Sequence, residues 1–283
     1  MLRCGFKTAK PEVALGLHLE GGRCYLVPML TRLLLLLSLP LVAADPGKVL
    51  FIGNSYTGTN GLPKVYAEIA KSAGRPVSKV AASHPGGRTL QHHLTIKGTL
   101  DLIDQGGWDV VVLQGHSQEA ALSETDPNKR TPFLGSAKVL CERVRKGSPD
   151  ARIVLYQTWA RHADLWQPGK ARELALSLGK DPPEMQSRIN RWYAAVAKEE
   201  RCEIAPVGAA WALNYASKDP LRLHTADNSH PAFAGTYLAA LVIFGRTHGL
   251  PKEAPTWKGD AKASVDDATA ARLLSYAAGA LRR

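Results

Sequence analysis

The chain has 283 residues, of which 45% are hydrophobic and 22% charged, with 18 prolines, a composition that excludes disorder, collagen and coiled coil. Its formal net charge is +11, and +8 of that lies beyond residue 44. The excess is spread along the chain and forms no basic block, which argues against a nucleic-acid partner and suits a polyanionic surface or substrate.

In chain order, residues 29–44 come first as a secretory signal peptide: Arg32 supplies the positive start, 33–42 the apolar run, and Val42-x-Ala44 the small-residue exit. The run is too short, and with Pro40 too broken, to span a bilayer, so no stable membrane anchor is expected. Cleavage after Ala44 would place a single domain, 45–283, in the periplasm or the medium. Met29 makes a better start than Met1, which marks 1–28 as an upstream extension of the reading frame. Of the four cysteines, Cys4 and Cys24 precede this cut and Cys141 and Cys202 follow it. One disulfide and two separate core thiols both fit that pair. His92-His93 point to different sides of any helix or strand and no Cys or His cluster has zinc spacing, so neither metal nor cofactor is expected.

Short β-rich runs at 49–52, 77–82, 110–114, 153–157 and 203–207 alternate with helical patterns near 62–73, 96–105, 133–146 and 184–199; two further helices, near 232–248 and 266–281, close the chain. The runs at 49–52, 110–113 and 153–156 are continuously apolar, as strands buried on both faces must be. This predicts an α/β fold, a three-layer α/β/α sandwich around a central parallel sheet. Active groups then belong at the C-terminal strand ends. The segment 158–183 is the longest irregular stretch and a natural rim for a ligand site.

Four pieces with chemical potential follow predicted strands. Gly53-Asn54-Ser55 sets a serine at the mouth of the sheet, before a helix whose N-terminus offers free N–H donors. His84-Pro85-Gly86-Gly87-Arg88 lets a backbone N–H approach a developing oxyanion, and Gln114-Gly115-His116-Ser117-Gln118 supplies side-chain amides. In Asp227-Asn228-Ser229-His230-Pro231 the carboxylate can hold one imidazole nitrogen and leave the other facing outward as a base. Nucleophile, base, orienting acid and oxyanion donors form the parts list for acyl transfer.

With Leu50-Phe51-Ile52-Gly53-Asn54-Ser55-Tyr56-Thr57 as its first block and Asp227-x-x-His230 as its last, the chain resembles the SGNH (GDSL-like) hydrolase superfamily over about residues 48–250. The resemblance implies a flavodoxin-like sandwich and hydrolysis of ester bonds, often acetyl esters on carbohydrates. It makes Ser55 the nucleophile, Gly87 the backbone oxyanion donor, and Asp227 and His230 the acid and base. Asn54 stands where the name-giving motif has Asp. The Gly-x-Asn block is absent, and the stretch in its place is similar to the Gln-Gly-Glu-Ser of carbohydrate acetylesterases; this assigns the oxyanion amide to Gln114, with Gln118 as the alternative.

A rival nucleophile elbow at Gly115-His116-Ser117-Gln118-Glu119 lacks its final glycine, and the α/β-hydrolase fold would put acid and histidine on separate loops. The expectation is an exported serine esterase for a small-molecule or glycan ester, with Asn54, His116, Trp159 and Trp166 lining the site and His162 beside them. The competing reading is a catalytically weak glycan-binding protein on the same scaffold.

Overall fold

The computed structural model describes residues 47–169 and 171–282; the leader at 29–44, its cleavage point and Asp45 lie outside them. In chain order the elements are β1 (Lys48–Ile52), α1 (Ser55–Gly58), α2 (Leu62–Ser72), β2 (Lys79–Ser83), α3 (Leu90–His93), α4 (Lys97–Gln105), β3 (Val110–Leu113), α5 (Glu119–Leu122), α6 (Pro127–Gly147) and β4 (Arg152–Tyr156). There follow α7 (Arg172–Leu178), α8 (Pro182–Glu199), β5 (Glu203–Ala205), α9 (Val207–Tyr215), α10 (Phe233–His248) and α11 (Asp267–Leu281).

The five strands pair in the order β2-β1-β3-β4-β5, all parallel. Side-chain alternation gives the sheet two cores. Val49, Phe51, Val112, Val154 and Tyr156 meet α2, α9, α10 and α11 on one face. Leu50, Ile52, Val111, Leu113 and Leu155 meet α4, α6 and α8 on the other. The expected three-layer sandwich is present, with β1, β3 and β4 at its centre because their apolar runs demand cover on both sides.

Two of the boundaries that differ from the sequence expectation do so for local reasons. β5 stops at Ala205 because Pro206 has no N–H for a ladder, and Val207 opens α9 instead. α6 starts at Pro127, before its apolar period begins, because the Asp126 side chain caps it by accepting from the Asn128 N–H at 2.9 Å. The 158–183 segment contains α7.

Candidate active site

Strand β1 ends in a turn built to present Ser55. A Cβ at Gly53 would overlap the Thr57 hydroxyl and the Gln114 amide oxygen, so only glycine lets that amide slide under the chain. Gln114 Oε1 accepts from the Asn54 N–H and from Thr57 Oγ1, both at 2.9 Å. On the other side, buried His93 places Nε2 2.9 Å from the Gly53 carbonyl and Nδ1 2.8 Å from Thr99 Oγ1. Burial lowers the His93 ring below its usual range, which keeps it neutral there. Asn54 caps the following turn through Oδ1, 3.0 Å from the Tyr56 N–H, and its Nδ2 donates to the Arg88 carbonyl at 3.0 Å. That last bond draws the 84–88 loop, with Gly87 at φ +68°, to the nucleophile turn.

The loop before α10 brings the other two groups. His230 Nε2 lies 2.8 Å from Ser55 Oγ, and His230 Nδ1 lies 2.5 Å from Asp227 Oδ2. The second carboxylate oxygen takes the N–H groups of Ser229 and His230 at 2.9 Å and the Thr225 hydroxyl at 2.7 Å. Burial alone would raise the Asp227 carboxyl, but the imidazole, the Thr225 hydroxyl and the two N–H groups outweigh it and hold it well below the usual carboxylate range. The carboxylate therefore stays charged and fixes the imidazole ring with Nε2 toward the serine.

The backbone N–H groups of Ser55 and Gly87 meet no backbone or side-chain acceptor among the described residues, as donors awaiting an oxyanion would be. Gln114 does not share that freedom. Its Nε2 donates to the Gly115 carbonyl, its oxygen already serves Asn54 and Thr57, and the residue is 1% exposed. The Asn54 N–H must face an oxygen, which fixes the orientation of the amide. Gln114 is thus a strut beneath the turn, whereas the Gln118 side-chain amide engages no partner among the described residues.

The aromatic and histidine side chains expected to line the site are held by the protein's own contacts. Trp159 is fully buried, stacked between Tyr56 at 4.4 Å and Trp211 at 3.9 Å between ring centroids, so neither face is free for a sugar. Trp166 is half-buried and donates Nε1 to the Gly179 carbonyl at 2.8 Å. His116 is half-buried beside the β3 end; burial, with Arg161 nearby, lowers its ring below the usual value. His162 faces Asp164, Nδ1 to Oδ2 3.1 Å. Among the described residues no group of three or more His, Cys, Asp or Glu is placed to hold a metal ion.

Four side chains beyond the triad knit this site together. Tyr56 Oη lies 3.0 Å from Ser229 Oγ, Arg161 donates Nη1 to that phenol at 2.5 Å, and Arg161 Nη2 donates to Ser117 Oγ at 3.0 Å.

Neither the family models nor the curated proteins compared with the sequence give a match. Solved structures do. A DUF4886 family protein from Bacteroides uniformis superposes with TM-score 0.68 at 17% identity, over 83% of this chain and 94% of that one. Axe2, an acetylxylan esterase from Geobacillus stearothermophilus, superposes with TM-score 0.55 at 15% identity, over 74% of this chain and 99% of that one. The chain shares its fold with an ester hydrolase. The likeness to both proteins lies in the three-layer sandwich.

Proposed function

We propose that the protein is an exported serine esterase of the SGNH type that removes short acyl groups, acetyl above all, from carbohydrates. One observation carries the reading: Ser55, His230 and Asp227 lie in hydrogen-bonded line at 2.8 and 2.5 Å at the C-terminal edge of a parallel sheet. Ser55 attacks the ester carbonyl while His230 takes its proton and returns it to the leaving alcohol; water then hydrolyses the acyl-enzyme with His230 again as base. Asp227 stabilises the imidazolium. The N–H groups of Ser55 and Gly87 hold the oxyanion, and Gln118 has an amide free to join them. Further support comes from the fold shared with Axe2, of which a serine-to-alanine and a histidine-to-alanine catalytic mutant are known as structures.

Hydrolysis of p-nitrophenyl acetate by the purified protein, abolished in Ser55→Ala, tests the reading; no turnover with intact folding would overturn it. One observation favours the second reading, a weakly catalytic glycan binder. The amide expected to complete the oxyanion site, that of Gln114, is committed elsewhere.

A further inference from the structure

Arg161, just beyond the end of β4, is 9% exposed; its guanidinium meets two hydroxyls, Tyr56 Oη and Ser117 Oγ, and lies over the Tyr56 ring, 5.8 Å from its centroid, but meets no carboxylate among the described residues. Buried cations are ordinarily paired, because an uncompensated charge loses its hydration with nothing in return. The two hydroxyl contacts orient the fork without neutralising it. Arg161 Nε meets no acceptor among the described residues and is not among their fully enclosed unpartnered atoms, so it keeps some exposure.

Arg161 borders a cavity of about 630 Å³ that Trp211, Pro182, Pro183, His162 and Asn190 also line. No aspartate or glutamate lines it. The cavity shares a wall with the triad, since Trp159, which also lines it, donates Nε1 to the Ser229 carbonyl at 3.1 Å. A chamber of small-molecule size with ring and proline walls, one cation and no acid is complementary to a planar anion carried on a ring.

We infer that this cavity seats a carboxylate-bearing sugar, a uronate unit of the glycan, with Arg161 as its anchor. The identification of the sugar as part of the ester substrate rests on the esterase reading; the anion seat itself does not. The +8 charge of the chain beyond residue 44 favours approach of such a polyanion.

Calorimetric titration of the full chain carrying Ser55→Ala with trigalacturonate, with its neutral methyl ester and with inorganic phosphate tests the seat. Trigalacturonate should bind about tenfold or more tightly than the methyl ester, and the preference should vanish when Arg161→Gln is added and persist in part in Arg161→Lys. Equal affinities, a preference that survives Arg161→Gln, or phosphate binding as tight as the uronate would overturn it. Should Arg161→Gln fail to fold, salt decides: the preference must shrink between about 0.01 M and about 0.3 M, and a salt-independent one refutes the seat. Turnover of p-nitrophenyl acetate by the unmodified chain separates the two readings. Uronate binding without turnover refutes the esterase alone, and turnover without uronate preference refutes the seat alone.

Discussion

The phenolic oxygen of Tyr56 lies 3.0 Å from Ser229 Oγ, joining the residue after Ser55 to the residue before His230. The bond ties the β1 turn to the loop before α10 and, with the Tyr56 ring packed edge-on against His230 at 5.5 Å between centroids, fixes the approach of base to nucleophile. Ser229→Ala should lower kcat about three- to tenfold, the worth of one neutral hydrogen bond, with KM nearly unchanged. Tyr56→Phe added to it should cost less than its separate effect; full additivity would show that the two hydroxyls do not act through each other.

Ser55→Ala and His230→Ala should each reduce kcat by about 10³-fold or more, and the double variant should be no slower than either, because nucleophile and base work as a unit. Asp227→Asn should cost about 10²-fold or more, since it removes the charge that stabilises the imidazolium. With Asp227 held well below the usual carboxylate range, its own protonation should not limit kcat/KM in the weakly acidic range. An acid limb that disappears in Asp227→Asn would contradict this.

Continuous apolar runs made β1, β3 and β4 readable, and strand-end logic put Ser55 after β1 and Gly87 after β2, whereas the Asp227-His230 pair lies on the loop between α9 and α10 and not at a strand end. α9 escaped because Val207–Tyr215 is apolar nearly throughout and lacks the period that marks an amphipathic helix. The contact between Arg161 and Tyr56 escaped because the two stand 105 residues apart in sequence, which leaves no local pattern. Gln114 was misread for a related reason. Strand position says that an amide sits at the mouth of the sheet, but only the overlap at Gly53 shows that the amide points beneath the turn.

That geometry separates the two glutamines. Gln114→Ala strips the Asn54 N–H and the Thr57 hydroxyl of their acceptor and should cost about 1–3 kcal/mol of stability, visible as a lower Tm. Gln118→Ala should leave Tm in place and lower kcat about 10²-fold at constant KM, as loss of an oxyanion donor does. A Gln114→Ala protein with native Tm and a large kcat defect would return the oxyanion role to Gln114.

Glu119 is 5% exposed and its Oε2 is enclosed without a partner among the described residues; burial pushes its carboxyl up to about 7. A raised carboxyl means that the unfolded chain releases this proton at lower pH than the folded one. The group's full stability is therefore present below the ordinary range near 4.5 and is lost as pH rises to about 7. Glu119→Gln should leave stability at pH 4 nearly unchanged and raise it at pH 8, by up to about 3 kcal/mol. Denaturant unfolding at the two pH values measures the difference, and an equal effect at both would show that Glu119 is not the titrating group.

Cys141, buried on α6, and Cys202, just before β5, hold their sulfurs 3.6 Å apart. Bonding needs a closure of under about 2 Å, within reach of a side-chain rotation. Cys202 is the less buried of the two and its contact with Cys141 lowers its thiol below the usual value, which makes it the attacking thiolate. Oxidised glutathione would accept the two electrons, leaving as two reduced molecules while the two cysteines lose their hydrogens and join. The bond would close a 61-residue separation between α6 and the β4–β5 region, stabilising the fold by up to about 4 kcal/mol in the chain-entropy model. In the oxidising compartment that the proposed leader would reach, the bond should form. Oxidised protein should therefore lose two hydrogens in mass, resist iodoacetamide and melt higher, with dithiothreitol reversing all three and Cys141→Ala abolishing them. Two alkylatable thiols after oxidation, with Tm unchanged, would leave the pair as separate core thiols.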